Sequence, residues 1–345
     1  MDINSTAKQK IIFSLTVDWE GEHFKDINDL KGMRNHIGNN IPITHFISAS
    51  YFTKEISDAK NIIQKQIYPQ DEVAVHIHPH RHLTKAAGVP FIDTPDFFEP
   101  YTPEIRFLIN LLPKSLQPKN SGRGVPISAY KSEDIQKLLL LSKQKLQKIV
   151  ARRPITGFRA GGWMCSDTVI EALEKTDFKY DSSAVPPEIL SQGYSIYKEG
   201  NKRDEHNGRN GVFTEYMLAL WGHKRQIDSI LANKNIQTAC PDTHIKKTTQ
   251  PFKVNSLFEM PNNAGMSDYA SAEQSMMYAV EEAVKKLQSG YDKPLFINTG
   301  FHQEGDIRYK LPIIEFFDKL SPEYREFIEF KTVEEARQTA NDIYG

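Results

Sequence analysis

Two acidic residues close the first apolar segment of the chain. Asp18 and Glu20 stand at the end of the run IIFSLTVDWE, which reads as a strand over Ile11–Trp19. Residues i and i+2 of a strand face the same side, so both carboxylates are expected to point into one site. An isolated Asp-x-Glu is more often a solvated acidic turn, but the apolar residues before this pair favour a buried strand that ends in two acids.

A histidine cluster follows a second apolar strand. Four of the chain's 11 histidines, His76, His78, His80 and His82, lie within seven residues. Imidazole is the commonest metal ligand in proteins, and histidines four apart can converge on one ion where a strand bends into a loop. Pro79 is poorly suited to a central strand and predicts that bend. Two registers are open, His76 with His80 or His78 with His82, and a surface cluster without metal is the plainer alternative.

Two further predicted strand ends carry reactive groups. His302 follows a strand near Pro294–Thr299, although a single histidine at a strand end is as often structural. Arg159 can pair with a buried carboxylate, and the glycines after it, Gly161 and Gly162, allow a close backbone approach to a ligand. Two histidines with one carboxylate leave coordination positions open for water, as in catalytic zinc sites. This inventory predicts metal-assisted hydrolysis.

The elements that must position these residues alternate between strands and helices, which predicts an α/β protein with a largely parallel sheet. Two stretches, Leu83–Ser128 and Ser195–Gln250, fit the alternation poorly, and we interpret both as insertions that carry substrate loops on one domain. The predicted strands are Ile11–Trp19, Thr44–Phe52, Glu72–His78, Ile155–Arg159, Phe178–Ser182, Ser256–Met260, Pro294–Thr299 and Phe327–Phe330, and the predicted helices are Ser132–Val150, Asp167–Lys175, Ser271–Leu287, Leu311–Leu320 and one from Val333.

Composition excludes several classes of protein. The 345 residues carry 43 Lys+Arg and 44 Asp+Glu, a net charge of -1, which disfavours a nucleic-acid partner and an anionic membrane surface. No apolar run approaches the roughly 20 residues that span a bilayer, and the polar start of the chain does not resemble a signal peptide. Two cysteines cannot form a disulfide framework. We therefore expect a cytoplasmic protein without an integral membrane segment; its oligomeric state is left open.

Taken together, the motifs resemble those of the polysaccharide deacetylase family, the NodB-like or carbohydrate esterase family 4 proteins. The similar segments are Thr16–Gly21, Glu72–His80, Gly157–Trp163, Tyr180–Ser183 and Phe301–His302. They are scattered over residues 11 to about 335, so the resemblance spans nearly the whole chain outside the two insertions. It implies a distorted (β/α)7-type barrel, with residues 1–345 forming a single catalytic domain.

The resemblance also implies a metal centre and a base. Position by position, the metal ligands fall on Glu20, His76 and His80, and the ion would be a divalent transition metal, with Zn²⁺ as the first expectation. Asp18 would be the general base, and Arg159 would keep it ionised and oriented. The better-known members carry adjacent aspartates in the first motif, whereas this chain has Asp-Trp-Glu, which points to a minority branch of the family.

The remaining roles fall on the last motif and on the glycine turn. His302 would be the general acid that protonates the leaving amine, with Glu259 or Asp268 as open choices for its partner. A backbone N–H of Gly162 or Trp163 would stabilise the oxyanion and touch the substrate.

The function implied is hydrolysis of an amide C–N bond, foremost the deacetylation of an N-acetylated sugar in surface-polysaccharide biosynthesis. The partner would be a carbohydrate or an N-acylated small molecule, with the acyl group undetermined. One alternative is a catalytically inactive carbohydrate-binding protein on the same barrel. A glycosidase that uses Asp18 and Glu20 as its carboxylate pair is disfavoured, because neighbours on one strand seldom straddle a glycosidic bond and the histidines would be unexplained.

Overall fold

The computed structural model describes most of the chain. The described residues are 10–21, 30–53, 58–92, 108, 111–113, 121–123, 125–149, 153–163, 165–184, 250–267, 276–304 and 310–344. Of the predicted insertion Ser195–Gln250, only Gln250 falls within them, and much of the insertion predicted at Leu83–Ser128 lies outside them.

A curled, largely parallel sheet forms the centre of the molecule. Its strand order is β6-β7-β5-β4-β3-β2-β1-β8, and β6 is antiparallel to β7 while the other pairs are parallel. The ninth strand, β9, pairs with the first residues of β1. It lies on the same edge of β1 as β2, which pairs with the later residues of β1. The strands are β1 (Ile11–Trp19), β2 (Ile43–Ser48), β3 (Glu72–Ile77), β4 (Gly157–Ala160), β5 (Tyr180–Asp181), β6 (Phe252–Val254), β7 (Leu257–Glu259), β8 (Leu295–His302) and β9 (Ile328–Phe330).

Helices cover the outer face of this sheet. Alternate residues of β1 from Ile11 to Trp19 point outward and join one large apolar core with the helices. The helices are α1 (Lys31–Ile37), α2 (Ala59–Gln66), α3 (Arg81–Ala86), α4 (Ser132–Ile149), α5 (Asp167–Lys175), α6 (Tyr278–Gln288), α7 (Leu311–Lys319), α8 (Pro322–Arg325) and α9 (Val333–Tyr344). None of these described helices is both long and apolar enough to cross a membrane.

The inner face of the sheet changes character from one end to the other. At the amino ends of the strands, a small apolar cluster that includes Ile12, Phe296 and Tyr180 is sealed by Val333 and Ala336 of α9. Further along β1, the inward residues are polar. The carboxyl ends of the strands, called the site end below, are therefore the end at which reactive side chains collect.

The gap between β7 and β8 is spanned by residues 262–267. Ala264 donates its N–H to the carbonyl of Asn298, and Ser267 donates to that of Gly300. The side-chain amide of Asn263 accepts from the N–H of Asn298 at 2.8 Å and donates to the carbonyl of Phe296 at 2.7 Å. It thus pairs with β8 as the backbone of a neighbouring strand would. The α/β class and the distorted barrel predicted from the sequence are confirmed.

Several element boundaries differ from those predicted. Strand β2 ends at Ser48 rather than at Phe52, because Ser50 donates its N–H to Ser48 Oγ and starts a 3-10 turn. Strand β5 has only two residues. The short elements α1, α2, α3, α8 and β6 were not predicted. Helix α5 has the predicted bounds, and Ser166 Oγ caps it by accepting the N–H of Val169.

Candidate functional site

The carboxyl ends of β1, β3, β4 and β8 converge at the site end. In the sheet register, Asp18 lies beside His302, and His76 lies beside Arg159. Asp18, Glu20, His76 and Arg159 are each at most 4% exposed. Parallel strands bring their ends to one edge of the sheet, so residues far apart in sequence meet here.

Glu20 lies at the hub of a histidine group. His78 Nε2 is 2.8 Å from Glu20 Oε2, while His76 Nε2 and His302 Nε2 are 3.4 and 3.3 Å from Oε1. Ligand atoms of Glu20, His76 and His78 all lie within 4.8 Å of one another, an arrangement that could hold a metal ion. Burial alone would raise the pKa of Glu20, but the charge of His78 and the hydrogen bonds of both histidines outweigh it and hold the pKa well below its usual range.

The two histidine rings of this group are fixed by backbone carbonyls. His76 Nδ1 is 3.0 Å from the carbonyl oxygen of Arg159, and His78 Nδ1 is 2.5 Å from that of Arg123. A carbonyl only accepts, so each Nδ1 carries the proton and donates. Each Nε2 is consequently the nitrogen turned toward Glu20, and it is the atom that could bind a metal.

His80 lies in the same region but contacts the backbone of Glu20. It is fully buried, and its Nε2 donates to the backbone carbonyl of Glu20 at 2.9 Å. Its ring also stacks on that of His82, with centroids 5.4 Å apart. The structure thus groups His76 with His78, two residues apart, whereas both registers considered from the sequence paired histidines four apart.

Asp18 is held by a buried guanidinium. Arg159 donates from Nη1 to Asp18 Oδ1 at 2.7 Å and to Thr16 Oγ1 at 3.0 Å. Its other nitrogens donate to the carbonyl and hydroxyl oxygens of Ser182, both at 3.0 Å. The guanidinium also lies 4.0 Å from the ring centroid of Phe46. Because all of these contacts fix its plane, Arg159 presents one defined edge to Asp18.

The glycine turn after β4 borders the histidine group. Gly162 (φ 60°, ψ 19°) and Trp163 (φ 55°) are both left-handed, a conformation that costs a tryptophan energy. A Cβ on Gly161 would come within 2.6 Å of the His78 ring, so only glycine leaves room for that imidazole. His302 lies on the opposite side with its side chain 18% exposed, more open than the buried groups around it.

Sequence reasoning did not pair His78 with His76, and it missed Arg123. The i, i+2 alternation that placed Asp18 and Glu20 on one face also places His76 and His78 on one face, so a signal for His78 was present. Arg123, whose Nε is 3.6 Å from Glu20 Oε2, comes from a stretch read as an insertion, and nothing in the sequence marked it. Gly122 beside it packs against Pro79, since a Cβ there would be 2.4 Å from the Pro79 carbonyl oxygen.

Two acids, Glu259 and Asp268, were the open choices for the partner of His302. Glu259 in β7 lies beside Asp181 in β5, and burial together with that neighbouring carboxyl raises the pKa of Glu259 well above its usual range. Asp268 lies outside the described residues.

Comparisons with known proteins show a likeness of fold. No family model and no curated protein matches the sequence. A Mycobacterium smegmatis structure, provisionally assigned as a polysaccharide deacetylase, is 10% identical, with a TM-score of 0.48 over 99% of this chain and 94% of its own. A Bordetella bronchiseptica structure, provisionally assigned as a polysaccharide deacetylase involved in O-antigen biosynthesis, is 10% identical, with a TM-score of 0.33 over 99% and 95%.

A third structure comes from another class of enzyme. The 4-alpha-glucanotransferase of Thermococcus litoralis is 11% identical, with a TM-score of 0.46 over 95% of this chain and 40% of its own. All three TM-scores are below 0.5, so we base no functional conclusion on these likenesses.

Proposed function

We propose that this protein is a metal-dependent hydrolase of an amide C–N bond. The observation that carries the proposal is the buried group of Glu20, His76 and His78, with the ion pair of Asp18 and Arg159 beside it. The group offers one carboxylate and two imidazoles, which leaves coordination positions for water and substrate.

The donor set fits a divalent transition metal, with Zn²⁺ as the first choice. Glu20, His76 and His78 would hold the ion, since the pKa of Glu20 keeps it anionic and both Nε2 atoms face its carboxylate. When bound, the metal would polarise the amide carbonyl and lower the pKa of a water molecule. The carbonyls that accept from the two Nδ1 atoms fix the rings in the orientation that ligation needs.

The other residues would move protons. Asp18 Oδ1 accepts from Arg159, so Oδ2 is the atom that would take a proton from the attacking water. His302, the more exposed imidazole, would protonate the leaving amine. Backbone N–H groups of the Gly162–Trp163 turn would stabilise the oxyanion. From the motif resemblance, the substrate would be an N-acetylated sugar, met during surface-polysaccharide biosynthesis.

Metal content of single variants tests the ligand set. We expect about one equivalent of transition metal in the purified protein, lost in His76→Ala and His78→Ala. His80→Ala is the matched control: its Nε2 already donates to a carbonyl, so metal should be retained. Circular dichroism shows whether both variants are folded. If folded His80→Ala loses the metal and folded His78→Ala keeps it, the ligand pair is His76 with His80, four residues apart.

Release of acetate from N-acetylated sugars tests the reaction. Asp18→Asn should retain metal and lower the rate by about 10²–10⁴-fold, the usual contribution of a general base. An unchanged rate would contradict the role of Asp18. Sugar binding without turnover in the fully metal-loaded protein would overturn the hydrolase proposal and favour the inactive carbohydrate-binding alternative.

A further inference from the structure

The residue between the two site acids points away from the site. Trp19 is fully buried on the outer face of the barrel, while Asp18 and Glu20 face inward. The ladder with β8 ends at Asp18 and His302, and that with β2 ends at Trp19 and Ile47. Glu20 therefore lies just beyond the sheet ladder, where side chains rather than strand pairing hold the backbone: His80 Nε2 donates to the Glu20 carbonyl at 2.9 Å.

Trp19 is anchored to a buried histidine. Its Nε1 donates to His45 Nδ1 at 3.2 Å, and His45 Nε2 is 3.2 Å from Asp71 Oδ2. An indole N–H only donates, so Nδ1 is the acceptor and Nε2 carries the proton toward Asp71. His45 is fully buried, and burial lowers its pKa, which favours this neutral tautomer.

Asp71 is itself held by several donors. Oδ1 accepts the N–H of Ile43 at 3.0 Å, Oδ2 accepts that of Tyr68 at 2.7 Å, and Arg34 forms a buried ion pair with it. Burial alone would raise the pKa of Asp71, but the hydrogen bond from His45 and the charges around it hold the pKa below its usual range. The far end of the chain of contacts is thus a fixed carboxylate.

We propose that Asp71, His45 and Trp19 form a positioning relay that sets the direction of Asp18 and Glu20. Because side chains alternate along β1, a strand end whose indole is fixed on the outer face has its two carboxylates fixed on the inner face. The side chains of the three relay residues are not among the candidate metal ligands. The inference rests on the proposed function, since it gives the relay a role toward the ion that Glu20 would hold.

Two substitutions at one position separate positioning from packing. The amide of His45→Asn reaches the place of Nδ1 and can still accept from Trp19, whereas the amide of His45→Gln reaches the place of Nε2 and can bond only Asp71. We expect His45→Gln to weaken Zn²⁺ binding by roughly tenfold and His45→Asn to stay within about threefold of wild type, as measured by calorimetry. Equal losses in the two variants would overturn the proposal, because packing alone does not distinguish them.

A second readout needs neither turnover nor a His45 variant. The chain has 3 tryptophans, so ¹⁵N-indole labelling gives few signals, and Trp19→Phe assigns one of them. In the wild-type protein we expect the Trp19 indole proton to be shifted by its hydrogen bond and protected from solvent exchange. A rapidly exchanging signal would overturn the relay. If neither His45 variant folds, an unchanged Zn²⁺ affinity in Trp19→Phe would overturn it as well.

Failure of the relay can be told from failure of the proposed function. Amide hydrolysis with equal Zn²⁺ affinity in both His45 variants removes the relay and leaves the hydrolase. If the protein hydrolyses no amide but its Zn²⁺ affinity differs between the two His45 variants, the hydrolase proposal is wrong and the relay still positions a metal ligand.

Discussion

Two glutamates at opposite ends of the barrel differ in charge although both lie on its inner face. At the site end, the pKa of Glu20 is held well below its usual range because His78, His76 and His302 surround it. At the amino end, burial raises the pKa of Glu72 to about 7. Its donors are neutral: Tyr180 Oη at 2.6 Å, Thr44 Oγ1 at 2.9 Å and the N–H of Glu334 in α9 at 3.0 Å.

The comparison shows that burial alone does not decide the charge of a carboxyl. Charged neighbours keep the site-end acid ionised and able to bind a metal, whereas the hydroxyl and amide donors of the other acid do not offset its burial and its pKa stays at about 7. The amino end can therefore be closed by the apolar residues of α9, and the site end must be built around charge.

The largest expected effect comes from breaking charge compensation at the site end. Arg159→Met leaves the carboxylate of Asp18 buried without its partner, which should lower the free energy of unfolding of the metal-free protein by about 3–5 kcal/mol. Adding Asp18→Asn should recover part of that loss, since the uncompensated charge is then gone. Denaturant titration of the wild-type protein and the two variants measures this, and equal stability of the single and double variants would contradict the explanation.

A smaller effect should follow from displacing one imidazole. In Gly161→Ala the new Cβ would lie 2.6 Å from the His78 ring, so the ring must move and its hydrogen bond to Arg123 must lengthen. Zn²⁺ affinity should fall at least tenfold, as when an outer-shell partner of a ligand is removed. Gly32→Ala in α1 is the control, because nothing lies within 4 Å of its new Cβ. Equal calorimetric affinities in the two variants would argue against His78 as a ligand.

The last effect concerns the amino end and depends on pH. The pKa of Glu72 is about 7 in the folded protein against an ordinary 4.5, so the folded state binds more protons than the unfolded state between those values. Stability should therefore fall by about 2.6 kcal/mol relative to Glu72→Gln as the pH rises from about 4.5 to about 7. Denaturation curves at both pH values measure the difference, with the exposed Glu323→Gln as control. A pH-independent difference would show that the pKa of Glu72 is not raised by folding.

Local pattern was enough to predict most of the elements that build the site. Strand β1 and helix α5 have the predicted bounds because a mainly apolar run and an N-cap serine are local signals. The fold class followed from the alternation of such elements. The acids of the site were found by alternation along β1, and the same rule applied to β3 would have paired His76 with His78.

The rest depends on contacts between distant parts of the chain. Gly161 must be a glycine because of His78, and Arg123 reaches Glu20 from a stretch with no regular pattern. The contacts that link Trp19 to His45 and His45 to Asp71 depend on the outward direction of the Trp19 side chain. No local propensity encodes these contacts, because each one depends on how segments distant in sequence are brought together in the fold.

The position of β1 in the sheet has a consequence for synthesis of the protein. Ile11 pairs with Leu295 on one edge and with Ile328 on the other, so β1 leaves the ribosome long before either of these partner strands. Pairings between such distant residues close late and slow the folding of a chain. While translation proceeds, the outward apolar residues of β1 have no complete sheet to join, and the nascent chain carries an exposed strand edge of the kind that chaperones protect.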